Sequence, residues 1–337
     1  MTLPRYLLLR LAYAVPQLFG IVLVGFFLLK LIPGDPAPMM LGPLATTEAV
    51  AKLRAEMGLD QPLPLQFLRY LERLAQGDLG RSWQSTNPVL TDLAERLPAT
   101  LELVTLGLAL AVAVGVPLGL AAGRRPFGWA AGVADTYSLG AGAMPDFWVA
   151  LVFVYVFYTL LGWAPAPLGR LDFAVLPPTR VTGSYALDAL LAGELDVFRA
   201  ALGQLLLPVA TLGALSAVPI LKITRSTAER LGGSDFVRFA EGKGLGRRRV
   251  SLHVLRNTLP AIVTVVGMLY GTLLGGVVLI EVVFSWGGVG QYAVAAVLNA
   301  DINASLGFVI ATAVISLGVH LAVDLACFAL DPRMRPA

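Results

Sequence analysis

The 337-residue chain has one cysteine, Cys327, two histidines, His253 and His320, and few charges, at 14% of residues. A lone cysteine excludes an intrachain disulfide framework and any multi-cysteine metal site. The two histidines lie far apart in sequence and on different expected elements, so ordinary hydrogen-bonding roles are expected rather than a shared metal site. There is no GxxxxGK[ST] run to cradle a nucleotide phosphate, no GxGxxG opening a helix after a strand, no GxSxG elbow and no HExxH pair. With no nucleophile, base or metal constellation, the chain is not expected to be an enzyme, and no catalytic residue, metal ligand or cofactor is assigned to it. The formal charge of +3 is small, and a nucleic-acid partner is not expected.

What is abundant is apolar: 57% of residues, with a mean hydropathy of +0.75. That balance does not suit a water-soluble core and predicts an all-α, polytopic membrane protein. Crossing the hydrocarbon core takes roughly 20 mostly apolar residues. Six stretches qualify: 9–31, 99–122, 132–162, 203–223, 259–283 and 305–329. The first follows Arg5 and Arg10 and could be compared with a signal peptide, but its length and the spans after it predict a retained helix. In the third, Gly140, Gly142 and Pro145 interrupt the run, which predicts a tilted or broken helix or two short segments.

Charge asymmetry sets the expected orientation. With the N-terminus inside, about fifteen of the 25 basic residues fall on or beside the inner segments 1–8, 123–131, 224–258 and the tail, while the outer loop 284–304 has none. Both termini are therefore expected on the cytoplasmic face, in a multi-pass chain surrounded by lipid. Residues 32–98 are expected as a small helical cap outside. Val50, Leu53 and Met57 share one helical face before a stop at Gly58, and Phe67, Leu68, Leu71 and Leu74 share another. The domain plan is thus 1–31 as the first span, 32–98 as the cap and 99–337 as the core.

Glycines recur at four-residue spacing, at Gly115, Gly119 and Gly123 and again at Gly267, Gly271 and Gly275. Such stripes let helix backbones approach in lipid, and packing within the subunit is the leading expectation, ahead of a partner contact or a path. Ionisable residues in or near the spans are Lys30, Glu102, Asp135, Asp146, Glu281 and Asp324. They are expensive in lipid and count as functional candidates. Lys30, Glu102 and Glu281 sit near enough to span ends to be expected to snorkel or meet headgroups.

The most informative stretch is 235–250, within the inner segment. Phe236, Val237, Phe239 and Ala240 form an apolar stripe beside Arg238 and Glu241. Gly242, Gly244 and Gly246 allow a sharp change of direction, and Val250, Val254 and Leu255 follow among Arg247, Arg248, Arg249 and Arg256. Two short helices joined by a glycine turn are predicted, a knob that another protein could grip. Anionic lipid could hold the arginines but would not require the glycines or the stripe.

These residues resemble the permease subunits of ABC importers, in particular the dipeptide, oligopeptide and nickel branch, whose loop carries a fixed glycine, here Gly244. The resemblance covers nearly the whole chain. It includes Leu31-Ile-Pro-Gly-Asp-Pro36, Gly77-Asp-Leu-Gly80, Glu95-Arg-Leu-Pro-Ala-Thr-Leu-Glu102, Met144-Pro-Asp-Phe-Trp148, Thr224-Arg-Ser226, Leu255-Arg-Asn257, Glu281-Val-Val-Phe-Ser-Trp286 and Asp331-Pro-Arg333. Phe239 before Ala240, Gly242 in place of an alanine and an early Pro260 depart from the family pattern.

The resemblance implies a type I ABC importer permease fold in the bacterial cytoplasmic (inner) membrane. It implies coupling helices at 234–256, with Phe236, Arg238, Phe239, Ala240, Glu241, Lys243, Gly244, Leu245 and Arg248 meeting a cytoplasmic ATPase. The expected partners are a second homologous permease subunit, two ABC ATPases that hold ATP and Mg, and an extracytoplasmic substrate-binding protein. Asp146, Trp148, Glu281, Phe284 and Trp286 are assigned to the translocation path or a gate, with interfacial anchoring as the alternative for Trp286. Peptides are the expected cargo, with nickel or another small solute of the same branch as the alternative. A secondary transporter would show repeated halves, and none is visible between 1–162 and 163–337.

Overall fold

Long apolar runs with little to interrupt them form helices because, in lipid, the backbone must satisfy its own hydrogen bonds. The computed structural model describes residues 3–31, 36–42 and 45–330, and among these it contains no strand beyond an isolated bridge between Arg81 and Pro88. In chain order the α-helices are α1 (Leu3–Lys30), α2 (Pro36–Leu41), α3 (Thr47–Glu56), α4 (Leu63–Ala75), α5 (Val89–Arg124), α6 (Trp129–Gly142) and α7 (Asp146–Phe153). A π-helical stretch, Val154–Leu160, continues α7. Then come α8 (Tyr185–Ala192), α9 (Leu195–Gly232), α10 (Asp235–Gly242), α11 (Arg247–Gly276), α12 (Val278–Val283), α13 (Val289–Leu298) and α14 (Ile302–Leu330).

Among the described residues five helices are long and apolar enough to cross a membrane, and the pair α6 and α7 with its π-helical tail, bent by 101° at the break, makes a sixth when counted as one broken span. Five of the six expected spans are thus single long helices, and the interrupted third corresponds to the bent pair. Motif residues 32–35 and 331–333 lie outside the described residues.

The chain divides into two compact units. One comprises 2–98 and 287–315. In it Val22 and Phe26 of α1 pack with Phe67 and Tyr70 of α4 and with Leu306 and Ile310 of α14. The aromatic rings of Phe26 and Phe67 lie 5.3 Å apart. Burial pushes the Tyr70 phenol up to about 12. Asp301 caps α14 through the N–H of Ala304 at 3.0 Å, while its other oxygen accepts from the Ser82 hydroxyl and the Trp83 N–H at 2.6 and 2.7 Å. The cap helices fall where the apolar faces predict them, with Gly58 at φ +66° ending α3. α2 is an additional short helix. The segment 284–304 contains a further short helix, α13. Val289, Tyr292 and Ala296 of α13 are buried with Val89 and Leu93 of α5.

The other unit comprises 99–286 and 316–337. Its long axis is the pair α5 and α9. A Cβ on Gly115 would lie 2.9 Å from the Ala217 carbonyl, one on Gly119 2.8 Å from that of Leu221, and one on Gly123 2.7 Å from that of Arg225. Partner numbers rise together, so α5 and α9 run parallel, as the second and fourth spans of an alternating six-span chain must. The second stripe works the same way against α14. Gly267 meets Val323 while Gly271 meets Ser316, an antiparallel register; Gly275 has nothing within 4 Å. Both stripes therefore serve packing within the subunit, apart from Gly275.

Gly119→Leu should push α5 off α9 and cost about 1–3 kcal/mol or more of stability, as overpacking of a tight contact does. Gly132, whose Cβ position is open, is the control: Gly132→Ala should leave the melting temperature in detergent within about a degree of wild type or raise it slightly. Equal melting temperatures for Gly119→Leu and wild type would contradict the close contact.

Candidate functional site

α10 begins after Ser234 and is anchored by the part of its stripe that points inward. Val237 and Ala240 are buried with Ala228 and Leu231 of α9, Val250 and Val254 of α11, and Leu120 of α5. The rest of the stripe points outward: Phe236 is 38% exposed and Phe239 65%. Large exposed apolar side chains beside charge are the composition of a docking surface. The Lys243 ammonium lies 4.4 Å from the centroid of the Phe239 ring, and Arg238, Glu241 and Arg248 are exposed around it. Leu245 turns inward and packs on the buried cluster.

The turn after α10 rests on Gly244, whose φ is +77°. No other atom lies within 4 Å of a Cβ built there, so within this chain the requirement for glycine is conformational. Gly242 closes α10 and Gly246 caps α11 with ordinary φ. The second expected short helix is not separate: Arg247 opens a single 30-residue helix that runs through Pro260 to Gly276. Arg124 at the end of α5 donates to the Ser251 hydroxyl and to the Arg247 carbonyl, tying the start of α11 to the α5 and α9 pair.

The proposed path residues fall in two different environments. Glu281, Phe284 and Trp286 are buried in the core of the unit, at 0%, 3% and 1% exposed. The Thr100 hydroxyl bonds the Glu281 carboxylate, and the Trp286 indole N–H donates to the Ala99 carbonyl at 3.0 Å. Such burial replaces the expected headgroup contact of Glu281 and the interfacial anchoring of Trp286. Glu102 is likewise engaged: Arg170 pairs with it at 3.0 Å and Ser184 donates to it. The Arg170 guanidinium also stacks 3.7 Å over the Tyr185 ring.

Sequence reasoning missed this brace of 170–188, because its partners are separated by scores of residues. Its anchor Asp188 is buried, and burial alone would raise its carboxyl. The N–H and hydroxyl of Thr182 and the N–H of Gly183 outweigh that and hold it below the usual carboxylate range. A lowered folded value means that Asp188 stabilises the fold at neutral pH and that this contribution fades as the pH drops through the ordinary carboxylate range.

Asp146 and Trp148 occupy the second environment, the elbow between α6 and α7. Both are exposed, with Trp148 at 45%. Beside them lies a cavity lined by Gly142, Met144 and Asp146 and, from α9, by Val218, Pro219 and Lys222. Lys222 was visible in the sequence only as the edge of a basic segment. Asp135, in contrast, is paired with Arg225, which also bonds Glu229.

Comparison with known proteins identifies the family of the chain. The sequence profile of the family described as binding-protein-dependent transport system inner membrane component matches residues 115–336, and that of its N-terminal region matches 3–104. The chain belongs to this family, the permease subunits of ABC importers, and is a multi-pass membrane protein. It is 34% identical to a dipeptide transport system permease protein of Alkalihalophilus pseudofirmus, over 98% of this chain and 99% of the relative. It is 38% identical to a probable D,D-dipeptide transport system permease protein of Escherichia coli K12, over 94% and 93%. To a di/tripeptide transport system permease protein of Pseudomonas aeruginosa it is 37% identical, over 97% of each.

Trp286→Ala should behave as a core truncation, losing about 3–5 kcal/mol and leaving the Ala99 carbonyl without its donor. The yield of folded protein and the melting temperature in detergent should both drop, with transport falling in proportion to folded protein. Normal folding with transport lost would restore a gate role for Trp286.

Proposed function

We propose that this chain forms half of the translocation pathway of an ATP-driven importer of short peptides. A second permease subunit would form the other half, two cytoplasmic ATPases would hold ATP and Mg and drive the cycle, and an extracytoplasmic binding protein would deliver cargo. The peptide assignment is supported by the near full-length likeness to permeases named for dipeptides and tripeptides. Both termini, α10 and the start of α11 face the cytoplasm, and the cap α2–α4 faces outward. Support comes from the basic inner segments and from the parallel run of α5 and α9, which an alternating six-span chain requires.

The observation that carries the coupling role is the split stripe of α10. Val237 and Ala240 bind the knob to this chain while Phe236 and Phe239 remain available to another. Uptake against a gradient needs energy, and this sequence has no phosphate-cradling loop. Force must then enter through contact with a nucleotide-binding partner whose two states differ in their fit to the knob.

Gly244→Asp places a side chain at φ +77°, a strain of about 1–2 kcal/mol, and adds a charge to the docking face. Co-purification of the ATPases and substrate-stimulated ATP hydrolysis should fall at least ten-fold with membrane insertion intact. Phe239→Ala, which removes an exposed ring, should weaken docking several-fold without lowering the melting temperature. If both variants bind ATPase as wild type does, α10 is not the coupling element.

Orientation has its own test. A cysteine introduced at the exposed Thr47 should react with an impermeant maleimide added to intact cells. Reaction only after permeabilisation would invert the topology.

A further inference from the structure

The break between α6 and α7 leaves residues 143–145 outside any helix, and these residues are exposed. Non-helical backbone at membrane depth persists only where protein covers it or where it lines a water-filled cavity. Here the exposed break borders a cavity of about 290 Å³ between the elbow and α9.

Two opposite charges open into that cavity, Asp146 from the first turn of α7 and Lys222 from α9, three residues after Pro219. Among the described residues neither side chain has an ion-pair or hydrogen-bond partner. Three other span carboxylates behave differently: Glu102 pairs with Arg170, Asp135 with Arg225, and Glu281 with Thr100. A charge left unpaired within a membrane span is expensive and by default a functional signal.

We infer that the elbow cavity is a cargo-contact site in which Asp146 receives the terminal ammonium of a peptide and Lys222 its terminal carboxylate. This inference rests on the peptide-import reading and assigns its recognition chemistry. At neutral pH a free peptide is a zwitterion, since its carboxyl titrates near about 3.5 and its amine near about 8. One fixed anion and one fixed cation complement that backbone whatever the side chains. The volume, near the lower end for small-molecule sites, accommodates the termini. Met144, Leu215 and Val218 line the rest of the site with sequence-tolerant apolar surface.

The test is uptake of radiolabelled dialanine by the whole import complex in proteoliposomes, with its binding protein present and assembly followed by co-purification. D146N and K222M should each lower the maximal uptake rate at least ten-fold, and the double variant should be no better than the worse single. D146E and K222R should retain a third or more of wild-type rate. For a lysine variant that assembles poorly, Lys222→Cys in the assembled complex supplies the answer. Aminoethylation, which restores a cation, should recover uptake, and a neutral methylating reagent should not.

Wild-type rates in the double variant would mean that the two charges only neutralise one another, and would overturn the assignment. Single variants within two-fold of wild type, or conservative variants as poor as the neutral ones, would also overturn it. A wild-type complex that imports no dialanine or trialanine would instead overturn the peptide reading, and this inference with it.

Discussion

The contact on which the membrane core depends is the approach of α5 to α9, close enough that a methyl group at Gly115, Gly119 or Gly123 would strike backbone carbonyls. Lipid tails are as apolar as leucine, so helices in a bilayer gain little from burying apolar surface against each other and rely on close van der Waals fit. A glycine stripe makes that fit possible along just over two turns of α5. The geometry then propagates. The end of α5 carries Leu120 and Arg124, the end of α9 carries Ala228 and Leu231, and these residues hold α10 and the start of α11. The knob is mounted on the closely packed ends of α5 and α9.

Polar groups divide in the same spirit. A charge at the centre of a bilayer costs about 2.5–3.5 kcal/mol even by insertion scales, so a structural charge is found with a partner. Glu102, Asp135 and Glu281 follow that rule, and each ties together segments separated by many residues. Asp146 and Lys222 do not, and they occur where the third span is broken.

Much of the architecture was legible in the sequence because run length and glycine spacing are local signals. All six spans, the bend at Pro145, the cap helices α3 and α4, and the stop at Gly58 follow from residues within one or two turns. What a glycine stripe packs against is not local, and α14 as the partner of Gly267 and Gly271 emerged only from the structure. α8 and α13 were missed because each is about ten residues or shorter and has no polar face to mark its period. Trp286 among glycines has the local look of an interfacial anchor. Its burial depends on the Ala99 carbonyl, 187 residues away. The α10 stripe was legible, but its division into anchoring and exposed halves was not, since both halves are apolar.

The continuity of α11 bears most directly on coupling. Had the segment after Gly244 formed a separate short helix, a push on the knob could be absorbed at a second hinge. Instead Arg247 opens a helix of 30 residues, about 45 Å at 1.5 Å per residue. Pro260 removes the internal bond to the Arg256 carbonyl, yet the helix continues unbroken to Gly276. At its far end Leu273 enters the core that also holds Val277 and Ile280, and with them Ala150 of α7. On the proposed reading, a displacement of α10 is therefore delivered by a single rod to the helix that begins at Asp146. The elbow cavity into which the two unpaired charges open then lies on the mechanical path from the proposed ATPase contact.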